Sequence, residues 1–132
     1  MRIAFLTTDE VNEARAREMA LACGVTLCPL APKDAPPDGT YDAVLCDWDF
    51  WPAERRQELL AGLDDRPHRP LAVHSYYLDE GQAKALRSRG VAVHDGLQPE
   101  VFLQLRRAAI AAQAADPSAR HRAGMEGVIS PA

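Results

Sequence analysis

Seven side chains able to hold or move protons, Asp9, Glu10, Asp47, Asp49, His74, His94 and Asp95, fall at or just after the ends of short apolar runs. Carboxylates mixed with imidazoles are a ligand set for a divalent metal, and a metal so held can activate water. A small metal-dependent hydrolase is therefore one reading of these residues. Alternation limits it. Neighbouring residues of a strand point to opposite faces, so His74 and Ser75 cannot converge on one centre and only part of the set can. The simpler expectation for each histidine is a structural or solvated place.

Other chemistries lack their residues. GxGxxG, the P-loop and the nucleophile elbow are absent. The segment "TTDEVNEA" (residues 7–14) has no glycine of the kind an FMN-binding loop needs, and "VHDGL" (93–97) does not contain the Asp-x-His-x-x-Gly signature of B12 binding.

Positioning these residues falls to a strict alternation of strand-like and helix-like segments. "RIAFL", "VTLCPL", "DAVLCD", "LAVHS" and "VAVH" are short, continuous apolar runs, which suits strands covered on both faces. After the first comes a helix with Ala16, Met19, Ala20 and Cys23 on one face, closed by Gly24. Pro52 opens a helix through Leu59, Leu60 and Leu63 that ends before "DDRPHRP". Leu78, Asp79, Gln82 and Ala83 spell a staple and capping box for the next helix, which Gly90 ends. Gln98 and Pro99 start the last, with Val101, Leu105, Ala108 and Ala112 on one stripe. Between the second and third strands, "APKDAPPDGTY" has three prolines and no helical period, so an extended crossover is expected in place of a helix.

Strands and helices alternating in this way predict a five-stranded parallel sheet with helices on both faces, a flavodoxin-like three-layer α/β sandwich. Such sheets carry their functional groups beyond the carboxyl ends of the strands. The domain spans residues 1–115; residues 116–132 are small, polar and aperiodic, which predicts a flexible tail dispensable for folding.

A length of 132 residues and 47% hydrophobic composition are enough for one core and leave no room for a second domain. The formal charge of −4 gives no basic footprint for nucleic acid, and no run approaches a membrane span. With no charged leader or cleavage site, the expected location is the cytoplasm. Cys23, Cys28 and Cys46 lack CxxC spacing and sit among apolar neighbours, so all three are expected as reduced, buried thiols.

The stretch "YDAVLCDWDFWP" (residues 41–52) resembles the receiver domains of bacterial two-component response regulators, where hydrophobics end in Asp shortly before Met-Pro. The resemblance puts Asp47 at the phosphoacceptor, with Pro52 five residues on where the family has four. "RPLAVHSYY" puts Ser75 at the hydroxyl that hydrogen-bonds the phosphoryl group, and "GLQPEVFLQLRRAAI" is similar to the start of the family's last helix. Receiver chemistry implies Mg²⁺ on an acidic pair after the first strand, which shields the carboxylate and the phosphoryl oxygens. Thr7 and Thr8 stand at that pair's positions. Asp9 and Glu10 would supply ligands only if the strand ran two residues longer, whereas Thr7 with Glu10 forms a capping box. The family lysine falls on Asp95, and neither Lys33 nor Lys84 is placed to replace it. The family's switch aromatic falls on Ala92.

The resemblance thus implies a degenerate, pseudo-receiver domain: not an enzyme, without cofactor or metal, acting in signalling through a protein partner or as a homodimer. Its pocket would consist of Thr7, Thr8, Asp9, Glu10, Ser75 and Asp95 around Asp47. The alternative is an atypical receiver still phosphorylated at Asp47. Trp48, Phe50 and Trp51 bring three large rings to the loop after the third strand, too many for one core, so at least one is expected to be partly exposed as an interface anchor.

Overall fold

The structure, a computed structural model, describes residues 1–65 and 69–115. The tail expected from residue 116, and residues 66–68 of the breaker stretch, lie outside them. The elements follow as β1 (Arg2–Leu6), α1 (Glu10–Ala22), β2 (Thr26–Leu30), β3 (Ala43–Asp47), α2 (Ala53–Asp65), β4 (Leu71–His74), α3 (Glu80–Ser88), β5 (Ala92–His94) and α4 (Pro99–Ala115), with a 3-10 turn at Trp48–Phe50. Neighbouring strands all pair in parallel, in the order β2-β1-β3-β4-β5.

The apolar runs divide by alternation between two cores. Ile3, Phe5, Ala43, Leu45 and Ala72 pack with Ala16 and Ala20 of α1 and Val101, Phe102 and Leu105 of α4. The intervening residues Ala4, Leu6, Val44, Cys46 and Val73 pack with Leu86 of α3 and with Leu59, Leu60 and Leu63 of α2. The flavodoxin-like three-layer sandwich expected from the sequence is the architecture formed. No helix among the described residues is long and apolar enough to cross a membrane.

Local signals account for most boundaries. Gly24 and Gly90 end α1 and α3 at φ of 72° and 85°, a region that costs glycine little. At α3 the expected capping box forms, with Gln82 N–H donating to Asp79 Oδ1 (2.7 Å) and Asp79 N–H to Gln82 Oε1 (3.2 Å). The cap of α1 differs from expectation. Asp9, in extended geometry, is the N-cap and accepts from Asn12 N–H at 2.9 Å. Thr7 cannot fill that role because β1 stops at Leu6 and the Thr7 hydroxyl is engaged elsewhere.

Between β2 and β3 no helix forms, and two arginines hold the proline-rich loop in its place. Arg69 donates to the carbonyls of Pro37 (3.2 Å) and Asp38, and Arg55 donates to that of Asp34 at 3.2 Å. The strand order leaves β2 at an edge, which tolerates the missing N–H of Pro29. Edge position also corrects one expectation: Cys28 is only half-buried, whereas Cys23 and Cys46 are buried. Burial pushes the Cys46 thiol well up, and the Asp47 charge adds to this, so it stays protonated and inert.

Candidate functional site

Strand register builds a polar row at the carboxyl end of the sheet. Asp47 is paired with His74 and His74 with His94 across β3, β4 and β5. Thr7, two residues beyond Phe5, extends the row from β1 on the face covered by α1 and α4. Asn12 enters from the first turn of α1, buried at 6% exposure.

Asp47 lies at the centre of this row with no exposed surface. Its Oδ2 accepts from the Thr7 hydroxyl at 2.7 Å and from the Asn12 side-chain amide at 3.0 Å. Its Oδ1 stands 2.7 Å from His74 Nε2, an ion-pair distance without the alignment of a good hydrogen bond. His74 is itself fully buried. Burial alone would push the Asp47 carboxyl up, but the His74, Asn12 and Thr7 donors outweigh burial and hold it below the usual carboxylate range.

That depression fixes a sign. A carboxyl whose folded value lies below its unfolded value, about 3.9 for Asp, stabilises the fold above that pH and loses the contribution as pH falls through the folded value. Urea midpoints should therefore be flat in this respect from neutral pH to about 4 and fall below it. The Asp47→Asn variant should show a shallower fall; an identical acid profile would mean that Asp47 is not the linked group.

The other expected pocket residues scatter. Ser75 is buried but does not reach Asp47: its hydroxyl donates to Asp49 Oδ1 and accepts from the N–H groups of Tyr77 (3.1 Å) and Leu78 (3.2 Å). A hydroxyl has one donor and two acceptor sites, so Ser75 is fully occupied. Asp49 Oδ2 also accepts from Tyr76 N–H at 2.9 Å. Thr8 is exposed and binds the Phe50 carbonyl through its N–H (3.2 Å) and its hydroxyl (2.8 Å). Asp9 caps α1, and Glu10 and Asp95 are exposed. Burial lowers the His94 pKa below its ordinary value, the Asp95 charge opposes this, and His94 Nε2 has no hydrogen-bond partner among the described residues.

The three rings after β3 also separate. Trp51, expected among the interface anchors, is 6% exposed and belongs to the core on the α2 and α3 face, which removes it from that set. Trp48 is half-buried, with the Arg56 guanidinium 4.9 Å over its ring. Phe50 stays exposed at 40%.

Neither Asn12 nor the contact of His74 with Asp47 was expected from the sequence. Asn12 had a signal: it lies four residues before Ala16, a polar residue on the buried stripe of α1. The His74 contact had none, because strand register is set by the whole sheet.

Among the described residues no three His, Cys, Asp or Glu side chains group as a metal site. Of the residues in the hydrolase reading Asp47 and His74 meet, but no third joins them as a metal site among the described residues.

No protein-family model matches the chain, and no curated protein matches it. Solved structures do. A CheY-like response regulator receiver domain from Methanospirillum hungatei JF-1 is similar with a TM-score of 0.66 at 12% identity, over 87% of this chain and 98% of its own. The receiver domain of a sensor histidine kinase from Pseudomonas aeruginosa PAO1, solved with magnesium coordinated in its active-site cleft, has a TM-score of 0.57 at 15% identity, over 82% and 96%. The response regulator ChrA of a heme-sensing two-component system has a TM-score of 0.59 at 16% identity, over 99% of this chain and 67% of its own. With five parallel strands in the order β2-β1-β3-β4-β5 and these neighbours, the chain has the fold of the response regulator receiver domains.

Proposed function

We propose that this chain is a pseudo-receiver: a cytoplasmic signalling domain that works by binding a protein and neither accepts a phosphoryl group nor acts as an enzyme. The observation that carries this is the enclosure of Asp47. A carboxylate attacks a phosphodonor through a free lone pair with room for approach in line. Asp47 has no exposed surface, two donors on one oxygen and a buried imidazole beside the other.

The residues present do not fit the magnesium that a receiver uses. The Thr7 hydroxyl donates to Asp47 Oδ2 and accepts from Asp9 N–H at 3.0 Å, and the Asp9 carboxylate is committed to the helix cap. Thr8 faces solvent as a neutral hydroxyl bound to Phe50. At the position of the family lysine, Asp95 would repel an incoming phosphoryl group.

Intact mass after incubation with a small phosphodonor and Mg²⁺ tests the reading. No phosphoryl group should be gained. A gain of one, lost in Asp47→Asn, would establish instead an atypical receiver phosphorylated at Asp47.

A further inference from the structure

Negative charge is concentrated at one end of this domain. Residues 7–13, 31–34, 47–56, 75–80 and 94–100, beyond the carboxyl ends of the strands, hold eleven Asp and Glu against three Lys and Arg; the other described residues hold six against nine. First-turn acids such as Glu10, Glu54, Glu80 and Glu100 answer helix dipoles. Each helix N-terminus is worth about half a positive charge, so four of them offset about two negative charges and leave a clear excess.

Exposed rings stand inside this acidic field. Tyr77 is 83% exposed, Tyr76 53% and Phe50 40%, with Val11 of α1 at 65%. Their backbone is fixed: Asp49 ties the turn after β3 to Ser75 and Tyr76, and Thr8 ties it to the start of α1. Tyr76 lies edge-on to His74 at 5.9 Å between centroids and against Gly96, where a Cβ would stand 3.5 Å from its ring. A backbone already fixed, and a Tyr76 ring already packed, lose little freedom on binding.

We propose that this end of the sheet docks a basic segment of a partner protein, its Arg and Lys side chains lying on the Tyr77, Tyr76 and Phe50 rings between Glu10, Asp79 and Asp95. The inference rests on the protein-binding reading above and names the partner's chemistry. Arginine and lysine combine an apolar stem, which covers a ring, with a charge that an aromatic face and nearby carboxylates both attract. Nucleic acid and anionic lipid would meet repulsion here, whereas a basic partner would be steered in.

The probes are two synthetic 12-residue peptides on the full chain, one of Arg, Ala and Leu, the other with Glu for Arg, and spermine as a cation without apolar surface. The Arg peptide should shift amide resonances of residues 8–11, 49–51, 76–79 and 95–97, and bind less tightly as salt rises. Tyr77→Ala should weaken it roughly tenfold or more with an unchanged melting temperature, and Glu10→Lys with Asp95→Lys should weaken it further. Equal binding of the Glu peptide or of spermine, affinity of Tyr77→Ala within about twofold of the parent, or shifts at the opposite end of the sheet would overturn the proposal. Self-association abolished by Tyr77→Ala would overturn it in favour of a second copy of this chain. Phosphoryl gain at Asp47 bears on the preceding reading alone, since the peptide titration needs no phosphodonor.

Discussion

Asp47→Ala should lower the melting temperature by about 10 °C or more, a large effect for one polar side chain. The substitution removes the acceptor of two buried donors, the Thr7 hydroxyl and the Asn12 amide, and the carboxylate oxygen that His74 Nε2 faces at 2.7 Å. Each polar group left unpaired in the interior costs about 1–3 kcal/mol. These costs overlap, so the loss should be about 3–4 kcal/mol. Removing Asp47 and His74 together should cost less, because the penalty lies chiefly in the orphaned group. Asp47→Ala combined with His74→Leu should accordingly recover part of the loss. A drop below about 3 °C for Asp47→Ala would mean that the carboxylate is solvated and its partners are not dependent on it.

Trp51→Ala should destabilise by about 3–5 kcal/mol, the usual cost of emptying a large aromatic site in a close-packed core. Trp51 is 6% exposed and packs with Val44, Cys46, Leu71 and Val73, against the sheet face that α2 and α3 cover. Phe50, one residue earlier, has 40% of its surface in water, and Phe50→Ala should shift the melting temperature by no more than about 3 °C. Association with a partner should respond the opposite way, lost on removal of Phe50 and kept by folded Trp51 variants. Equal melting curves for Trp51→Ala and the parent would show that the ring is not part of the core.

Much of the fold was legible in the chain because its signals are local. Five apolar runs, separated by segments of helical period, admit few arrangements other than a parallel sheet with right-handed crossovers. The capping box at Asp79, the glycines at 24 and 90 and the prolines of the crossover each act through a backbone preference of a few neighbouring residues.

What the tertiary structure decided was which side chain meets which. Thr7, Asp47 and His74 are far apart in sequence and meet because β1, β3 and β4 are neighbours in one register; a slip of one residue would send His74 to the opposite face and bring Ser75 to Asp47. The same parity turned Ser75 towards Asp49 and made its hydroxyl a brace for the Tyr76–Tyr77 turn. Trp48 and Trp51 are the same residue type, yet the turn after β3 buries Trp51, leaves Trp48 half-buried and exposes Phe50. Composition and local pattern determine that this chain forms a receiver-like sheet; the register of that sheet decides that its central aspartate is held from within.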